Sequence, residues 1–130
     1  MKEYPVPQGV WPARGYSHAV AVSGGTTVYV AGQIALDANG KIAGDDITTQ
    51  TRQVLQNVRA SLTAAGATFS DVVKMTTYVV GLDDAKLAAI REVRKGFLPT
   101  AGPPASTLVG VSRLAMEGLL IEVEVVAVID

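Results

Sequence analysis

Alternating hydrophobic and polar residues predict β-strands in five stretches of the chain. They cover residues 17–23, 26–34, 71–81, 106–114 and 118–130. Because side chains on a strand point alternately to opposite faces, this pattern indicates one buried face and one accessible face. Gly24 and Gly25 tolerate positive φ and predict a hairpin turn between the first two strands. The sequence Asp-Ala-Asn-Gly at residues 37–40 predicts a second turn, after which a short sixth strand can follow.

Two further stretches have helical spacing, and a capping residue precedes each. Asp46 can cap the first helix and Gly66 can end it, because Asp accepts backbone N–H groups and glycine adopts left-handed φ. Asp83 can cap the second helix, which ends before the prolines of residues 99–104. The inward positions are Ile47, Thr51, Val54, Val58, Leu62 and Ala65 in the first helix, and Leu87, Ile90, Val93 and Phe97 in the second. Residues 1–15 are rich in Pro and Gly and predict an irregular arm.

The order of these elements predicts an α+β fold with two layers. Two helices can cover only one face of such a sheet. The other face would carry Glu122 and Glu124 together with Thr76, Tyr78 and Val80, or the neighbours of these three with opposite parity. A half-polar open sheet face of this size usually packs against a second copy of the same chain. We therefore expect a homo-oligomer.

Composition narrows the class of protein. The 130 residues suit one domain, spanning residues 1–130, and with 48% hydrophobic and 18% charged residues they can form a core. The net charge of -1 and the lack of a Lys/Arg cluster argue against a nucleic-acid partner. The chain has no cysteine, which removes disulfides, Cys-based zinc sites and thiol nucleophiles. Without a signal peptide or an apolar stretch of roughly 18–20 residues, we expect a cytoplasmic protein with no membrane partner.

Two carboxylates interrupt the apolar sequence LLIEVEVVAV of the last strand, residues 119–128. Glu122 and Glu124 point to the same face, opposite the wholly apolar one. Glu124 is explained most simply as part of a solvated sheet face or of an ion pair between subunits. Glu122 lies deeper in the apolar run, and burial suits a carboxylate to general acid–base catalysis. Glu122 is therefore a candidate catalytic residue.

His18 is the only histidine, and it lies in the polar sequence GYSH at the start of a strand. A lone histidine there is either structural or a proton carrier, since imidazole titrates near neutrality. There is no second histidine for a metal site, and no Ser-His-Asp, G-x-S-x-G or G-x-x-x-x-G-K-[ST] pattern, so no metal or nucleotide cofactor is implied. Arg91 and Arg113 are either solvated surface charges or partners for an acidic substrate.

Four segments of the chain, taken in order, carry a family resemblance. They are VYVAGQIALDANGKI, QTRQVLQNVRASLTAAGATFSDVVKMTTYVVGLDD, PPASTLVGVSRL and LLIEVEVVAV, and the likeness runs from about Gly15 to Ile129. Together they resemble the Rid family, also called YjgF or endoribonuclease L-PSP, whose namesake is the deaminase RidA. The resemblance implies a chorismate-mutase-like fold with a six-stranded mixed sheet and two helices on one face. It also implies homotrimers whose sheets form a barrel with clefts between subunits, and cofactor-free hydrolysis of imines and enamines, such as 2-aminoacrylate, to a keto acid and ammonia.

The resemblance also implies site residues, and some of them depart from the family pattern. Glu122 matches the family residue that positions or protonates in the cleft, and His18 could share its proton transfers. The family arginine that clamps the substrate carboxylate is replaced by Ser106, so Arg91, which replaces an asparagine, could supply the charge from another direction. A family serine is replaced by Ala31. The residues expected to contact substrate are Tyr16, Ala31, Gly32, Arg91 and Ser106.

These departures leave several functions open. The first is an imine or enamine hydrolase with altered substrate preference, because loss of a buried bidentate charge pair costs about 2–5 kcal/mol. The second is a pathway deaminase similar to 2-aminomuconate deaminase, since Ser106 leaves more room than arginine. The third is a non-catalytic trimer that binds a small metabolite or acts as a regulator. A ribonuclease is less favoured, because the chain has neither a basic stripe nor an aromatic stacking platform.

Overall fold

A computed structural model describes residues 1–130 and contains strands, two α-helices and one short 3₁₀ helix. The α+β class, with two helices packed on a mixed sheet, is confirmed. In chain order the elements are β1 (Lys2–Glu3), β2 (Ala21–Val22), β3 (Thr26–Ile34), α1 (Ile47–Ala64), a 3₁₀ helix (Phe69–Asp71), β4 (Val72–Val80), α2 (Asp84–Arg94), β5 (Ala105–Val111) and β6 (Ile121–Ile129).

The main sheet has four strands in the order β3-β6-β4-β5. β6 is antiparallel to both of its neighbours, whereas β4 and β5 are parallel and are connected through α2. The inward residues of β6, from Ile121 to Ala127, are buried in the core together with Val54, Leu55 and Val58 of α1. Glu122 and Glu124 occupy the opposite face, so the alternation along this strand is confirmed.

Both helices begin where the capping residues predict, and α1 also ends there, whereas α2 ends at Arg94 and does not reach the predicted inward position Phe97. The Asp46 carboxylate accepts a hydrogen bond from the backbone N–H of Thr49 at 2.9 Å, and the pKa of Asp46 is lowered mainly by that bond. Asp83 accepts in the same way from Lys86 at 2.8 Å. Gly66 follows α1 with a φ of 80°, the left-handed conformation that glycine adopts without a steric penalty. Neither helix has the length and apolar character needed to cross a membrane.

The first predicted strand is the part of the fold that the alternation describes wrongly. Only Ala21–Val22 is a strand, and it pairs with Lys2–Glu3 rather than with β3. The six strands therefore divide into a sheet of four and a ribbon of two, which corrects the predicted single six-stranded sheet and the wholly irregular arm. The reason is that the backbone N–H of Ser17 donates to Pro104 O at 3.0 Å, beside β5. Since β5 and β3 are opposite edges of the sheet, the chain crosses between them and cannot run along β3.

The sheet face away from the helices is half polar, as expected. Thr76 and Tyr78 of β4 pair in register with Glu124 and Glu122 of β6, so all four side chains share this face. Tyr29 on β3 has 79% of its surface exposed there. In a single chain nothing covers this face, and the homo-oligomer stays a prediction.

Candidate active site

Glu122 lies on the open face near the start of β6, next to an irregularity in β3. The register of β3 against β6 shifts between Val30, which pairs with Val125, and Gln33, which pairs with Val123, so that Ala31 and Gly32 form a bulge opposite Glu124, and the Glu122 side chain extends to it. Gly32 lies so close that a Cβ atom there would overlap the Glu122 carboxylate. Glycine at this position therefore leaves room for the carboxylate, and a larger residue would displace it. Glu122 forms no salt bridge, so its oxygens remain available to a ligand.

Glu124 has a different environment from its neighbour. The Tyr78 hydroxyl donates a hydrogen bond to Glu124 Oε1 at 2.6 Å. This bond, followed by desolvation and the charges of Glu124 and Glu122, raises the pKa of Tyr78. Glu124 is therefore engaged within the chain by a hydroxyl group, which is neither of the two explanations offered from the sequence. We call Gly32, Tyr78, Glu122 and Glu124 the open-face cluster.

Two amides on α1 set the positions of the strands that carry this cluster. Gln50 is fully buried; its Nε2 donates to Gly44 O and Gly118 O, and its Oε1 accepts from the N–H of Leu120. Asn57 Nδ2 donates to the carbonyl oxygens of Ile34, at 3.0 Å, and of Leu36. These amides tie α1 to the end of β3 and the start of β6. The sequence analysis missed both residues, because α1 contains four side-chain amides, Gln50, Gln53, Gln56 and Asn57, and the sequence alone does not show which of them are buried.

The GYSH segment is anchored along the edge of β5. Ser17 bridges to Ala105 and also donates its hydroxyl to Pro103 O. Trp11 Nε1 donates to the Tyr16 hydroxyl at 2.6 Å, which leaves the hydroxyl proton of Tyr16 free to donate to a ligand. The anchoring therefore brings residues of the N-terminal arm next to β5 and α2.

His18 is held by Trp11. His18 Nε2 lies 2.7 Å from the Trp11 carbonyl oxygen, and its ring meets the Trp11 ring edge-on at 4.8 Å. Since a carbonyl oxygen only accepts, Nε2 carries a proton, and in the neutral ring Nδ1 is the atom able to accept one. Both the structural and the proton-carrying role predicted for His18 are compatible with this arrangement.

A cavity of about 650 Å³ lies between the arm, α2 and β5. It contains three of the predicted substrate-binding residues, Tyr16, Arg91 and Ser106. It also contains cations that the sequence analysis missed: Arg14, Arg94 and Lys95. We call this cavity the arginine pocket. Arg113 lies outside it and donates from Nε to Leu114 O at 3.0 Å.

The open-face cluster and the arginine pocket are on opposite sides of the sheet. Glu122 is paired in register with Tyr78, whereas Ser106 is paired with Met75, which is buried beneath the helices. Because neighbouring residues of β4 point to opposite faces, Glu122 and Ser106 do so as well. The predicted catalytic carboxylate and the predicted carboxylate-binding residues therefore do not meet within one chain. No three His, Asp or Glu side chains converge in the geometry of metal ligands.

Comparison with known proteins identifies the family to which this chain belongs. Residues 8–129 match the family described as Endoribonuclease L-PSP, and the chain belongs to that family. A solved structure of the Rid family protein YyfB from Yersinia pestis has a TM-score of 0.86 and 40% sequence identity, and the match covers 98% of each chain. The resemblance to the Rid family is therefore confirmed.

Two curated relatives show how the family is named in other organisms. A RutC family protein of Pyrococcus horikoshii is 40% identical over 111 residues, which is 85% of each chain. The 2-iminobutanoate/2-iminopropanoate deaminase of Salmonella typhimurium is 36% identical over 106 residues, or 80% of each chain.

Proposed function

We propose that this protein hydrolyses an imine or enamine to a carbonyl compound and ammonia, with a substrate preference different from that of RidA. The relative named as an imine deaminase supports the reaction class. The observation that carries the proposal is Glu122, a carboxylate held against Gly32 with no salt bridge of its own. Such a group is able to accept a proton and return it, as general acid–base catalysis requires.

The reaction needs two proton movements, which one carboxylate can supply. Water adds to the carbon of the C=N bond, and its proton passes through Glu122 to the nitrogen, which gives a carbinolamine. The hydroxyl proton of this intermediate then moves to the nitrogen while the C–N bond breaks, which releases ammonia and leaves the carbonyl group. His18 Nδ1 is a second group able to take up a proton, since Nε2 is held by Trp11 O.

The substrate would be bound without the family's arginine clamp. Ser106 can donate one hydrogen bond, whereas a guanidinium donates two in parallel to a carboxylate. Arg91 and the free hydroxyl proton of Tyr16 are in the same cavity and can replace that contact. Ala31 and Gly32 would border the reacting carbon beside Glu122, with Ala31 offering no hydroxyl group.

The complete site would require a second copy of the chain, and we propose that the assembly is a homotrimer. Its two parts lie on opposite faces of one sheet, so each Glu122 would meet the arginine pocket of a neighbouring subunit. The uncovered face with its exposed Tyr29 supports burial of that face between copies. Light scattering is expected to give three times the mass of the chain. A monomer at assay concentration would contradict this assembly.

The test of the function is ammonia release from 2-aminoacrylate, generated in situ by a PLP-dependent dehydratase. We expect acceleration over the spontaneous rate, and loss of about 100-fold or more of it in Glu122→Gln. Glu124→Gln is the matched control, because Glu124 is engaged by Tyr78, and it should keep most of the activity. If 2-aminoacrylate is not accelerated, bulkier imines including 2-aminomuconate follow. Absence of turnover with all of them would favour a metabolite-binding or regulatory protein.

A further inference from the structure

The arginine pocket concentrates positive charge that the chain does not neutralise. Arg14, Arg91, Arg94 and Lys95 all border it, and no Asp or Glu does. Lys95 pairs with Glu92 at 3.0 Å on the exposed surface of α2. The three arginines form no salt bridge within the chain. This concentration is notable in a protein whose net charge is -1.

Arg94 shows that the arrangement is unfavourable without a counter-charge. Its side chain is partly buried, and desolvation followed by the charge of Arg91 lowers its pKa. Both effects oppose the charged form, because a desolvated guanidinium loses water and gains a like-charged neighbour. An anion bound in the pocket would offset both penalties by its attraction to the two guanidinium groups.

Helix electrostatics explain only part of this cluster. Arg91 and Arg94 lie in the last turn of α2, where cations interact favourably with the helix dipole. Arg14 belongs to the N-terminal arm, so the dipole of α2 does not explain its position in the pocket. It is brought to the pocket by the anchoring of Ser17 on Pro104. Convergence of arginines from two distant segments is a feature of a binding site.

We propose that the arginine pocket binds a ligand with two anionic groups, such as the imine of an amino dicarboxylic acid or of a phosphorylated amino acid. This inference names the substrate class of the proposed function. It rests on the proposed function for the reaction, whereas the binding of a dianion can be measured by itself. One carboxylate is satisfied by one or two guanidinium groups and leaves most of the pocket's positive charge unneutralised. A second carboxylate or a phosphate would occupy the remaining arginines.

The rest of the pocket suits a short carbon skeleton between two such groups. Leu87, Leu98 and Leu108 supply apolar surface, and Thr100 and Ser106 supply hydroxyl donors. The cavity volume of about 650 Å³ lies within the range of small-molecule sites. A monocarboxylic acid of three or four carbons would leave part of this space empty.

Binding can be measured directly by the fluorescence of Trp11, because it is the only tryptophan and donates a hydrogen bond to Tyr16 of the pocket. Its fluorescence is to be titrated with 2-oxobutanoate, 2-oxoglutarate and O-phospho-L-serine, and the affinities checked by calorimetry on the assembled protein. We expect one or both dianions to bind at least about 10-fold more tightly than 2-oxobutanoate at low ionic strength, with the preference reduced by added salt. The 2-oxoglutarate and O-phospho-L-serine titrations distinguish a dicarboxylate from a phosphorylated ligand.

Two variants and one control locate the binding. Arg94→Gln and Arg14→Gln should each weaken dianion binding by about 10-fold and 2-oxobutanoate binding much less. Arg14 lies on the arm outside the core, so Arg14→Gln decides the matter if Arg94→Gln does not fold. Arg52→Gln, an exposed arginine of α1 outside the pocket, is the matched control and should bind as the unmodified protein does.

The outcomes separate this inference from the proposed reaction. Equal affinity for mono- and dianions, or dianion binding unchanged in Arg14→Gln and Arg94→Gln, would overturn the inference even if ammonia release depends on Glu122. Selective dianion binding with no imine turnover would support the pocket and contradict the proposed reaction.

Discussion

The two sides of the main sheet differ in charge and in how they are built. The open-face cluster carries carboxylates and is set by the register of neighbouring strands, with Gly32 beside Glu122. The arginine pocket carries cations and is assembled from the arm, the end of α2 and the edge strand β5. We infer from this difference that the open-face cluster moves protons and that the arginine pocket binds anions. This assignment also predicts different defects: variants of Glu122 and Gly32 on the open face should lower kcat, and variants in the pocket should raise KM.

The largest expected effect comes from Gln50, which supports the open face from beneath. Gln50→Leu removes three hydrogen bonds of a fully buried amide, to the backbone groups of Gly44, Gly118 and Leu120. We expect the free energy of unfolding to fall by about 3 kcal/mol, since three hydrogen bonds are lost and each contributes about 1 kcal/mol. Denaturant titration measures it. Gln56→Leu, on the exposed side of α1, is the control, and an equal loss there would show that the hydrogen bonds of Gln50 are not the cause.

The second prediction displaces the Glu122 carboxylate without removing it. Gly32→Ala places a methyl group where that carboxylate lies, and the flexible end of the side chain must move away. We expect kcat to fall by about 100-fold, as a displacement near 1 Å can cause, with less than about 1 kcal/mol lost in stability. Combining it with Glu122→Gln should give no further loss. An additive loss would mean that Gly32 acts independently of Glu122.

The third prediction concerns the pocket. Arg91→Ala should raise KM for an acidic imine by about 10-fold while kcat changes little. The reason is that the contact with the substrate is lost equally in the bound substrate and in the transition state. Steady-state ammonia release measures both constants. Arg113→Ala, outside the pocket, is the matched control. An unchanged KM in Arg91→Ala would remove Arg91 from substrate binding.

The smallest effect is expected at Tyr78. Tyr78→Phe removes the bond to Glu124, and activity should change by less than about threefold, because Glu124 has no proton to transfer in the proposed reaction. Stability should show a pH signature. In the folded protein the pKa of Tyr78 is raised above its ordinary value of 10. The stabilisation that Tyr78 gives is therefore fully present below pH 10 and is lost as the pH rises through the raised pKa. Melting temperatures of the two proteins should therefore converge above pH 10; a constant difference would contradict the assignment.

Local patterns predicted much of the fold because their causes are local. The caps at Asp46 and Asp83 and the alternation along β6 depend on neighbours within a few residues, and the structure agrees with each. The pairing of residues 17–23 was predicted wrongly, since Ser17 bonds to Pro104 and the strand segment Ala21–Val22 to Lys2–Glu3. Contacts between distant parts of the chain cannot be read from alternation.

The residues of the candidate site also differ in whether the sequence alone reveals them. Glu122 stands out in the sequence because a carboxylate interrupts an apolar strand. Arg14 and Arg94 do not stand out, since an arginine in a loop or on a helix resembles any surface charge. Only the docking of the arm brings them to one cavity. The spacing of Arg91 and Arg94 on one helix face was the single available signal.

The anchoring of Ser17 has a consequence for solubility as well. β5 is an edge strand, and an unpaired edge offers its backbone groups to strands of other molecules. The bridge from Ser17 to Ala105 occupies the first residue of that edge. The segment that delivers Arg14 to the pocket therefore also covers the start of this edge, so that detachment of the arm would lengthen the unpaired edge and remove the anion site together.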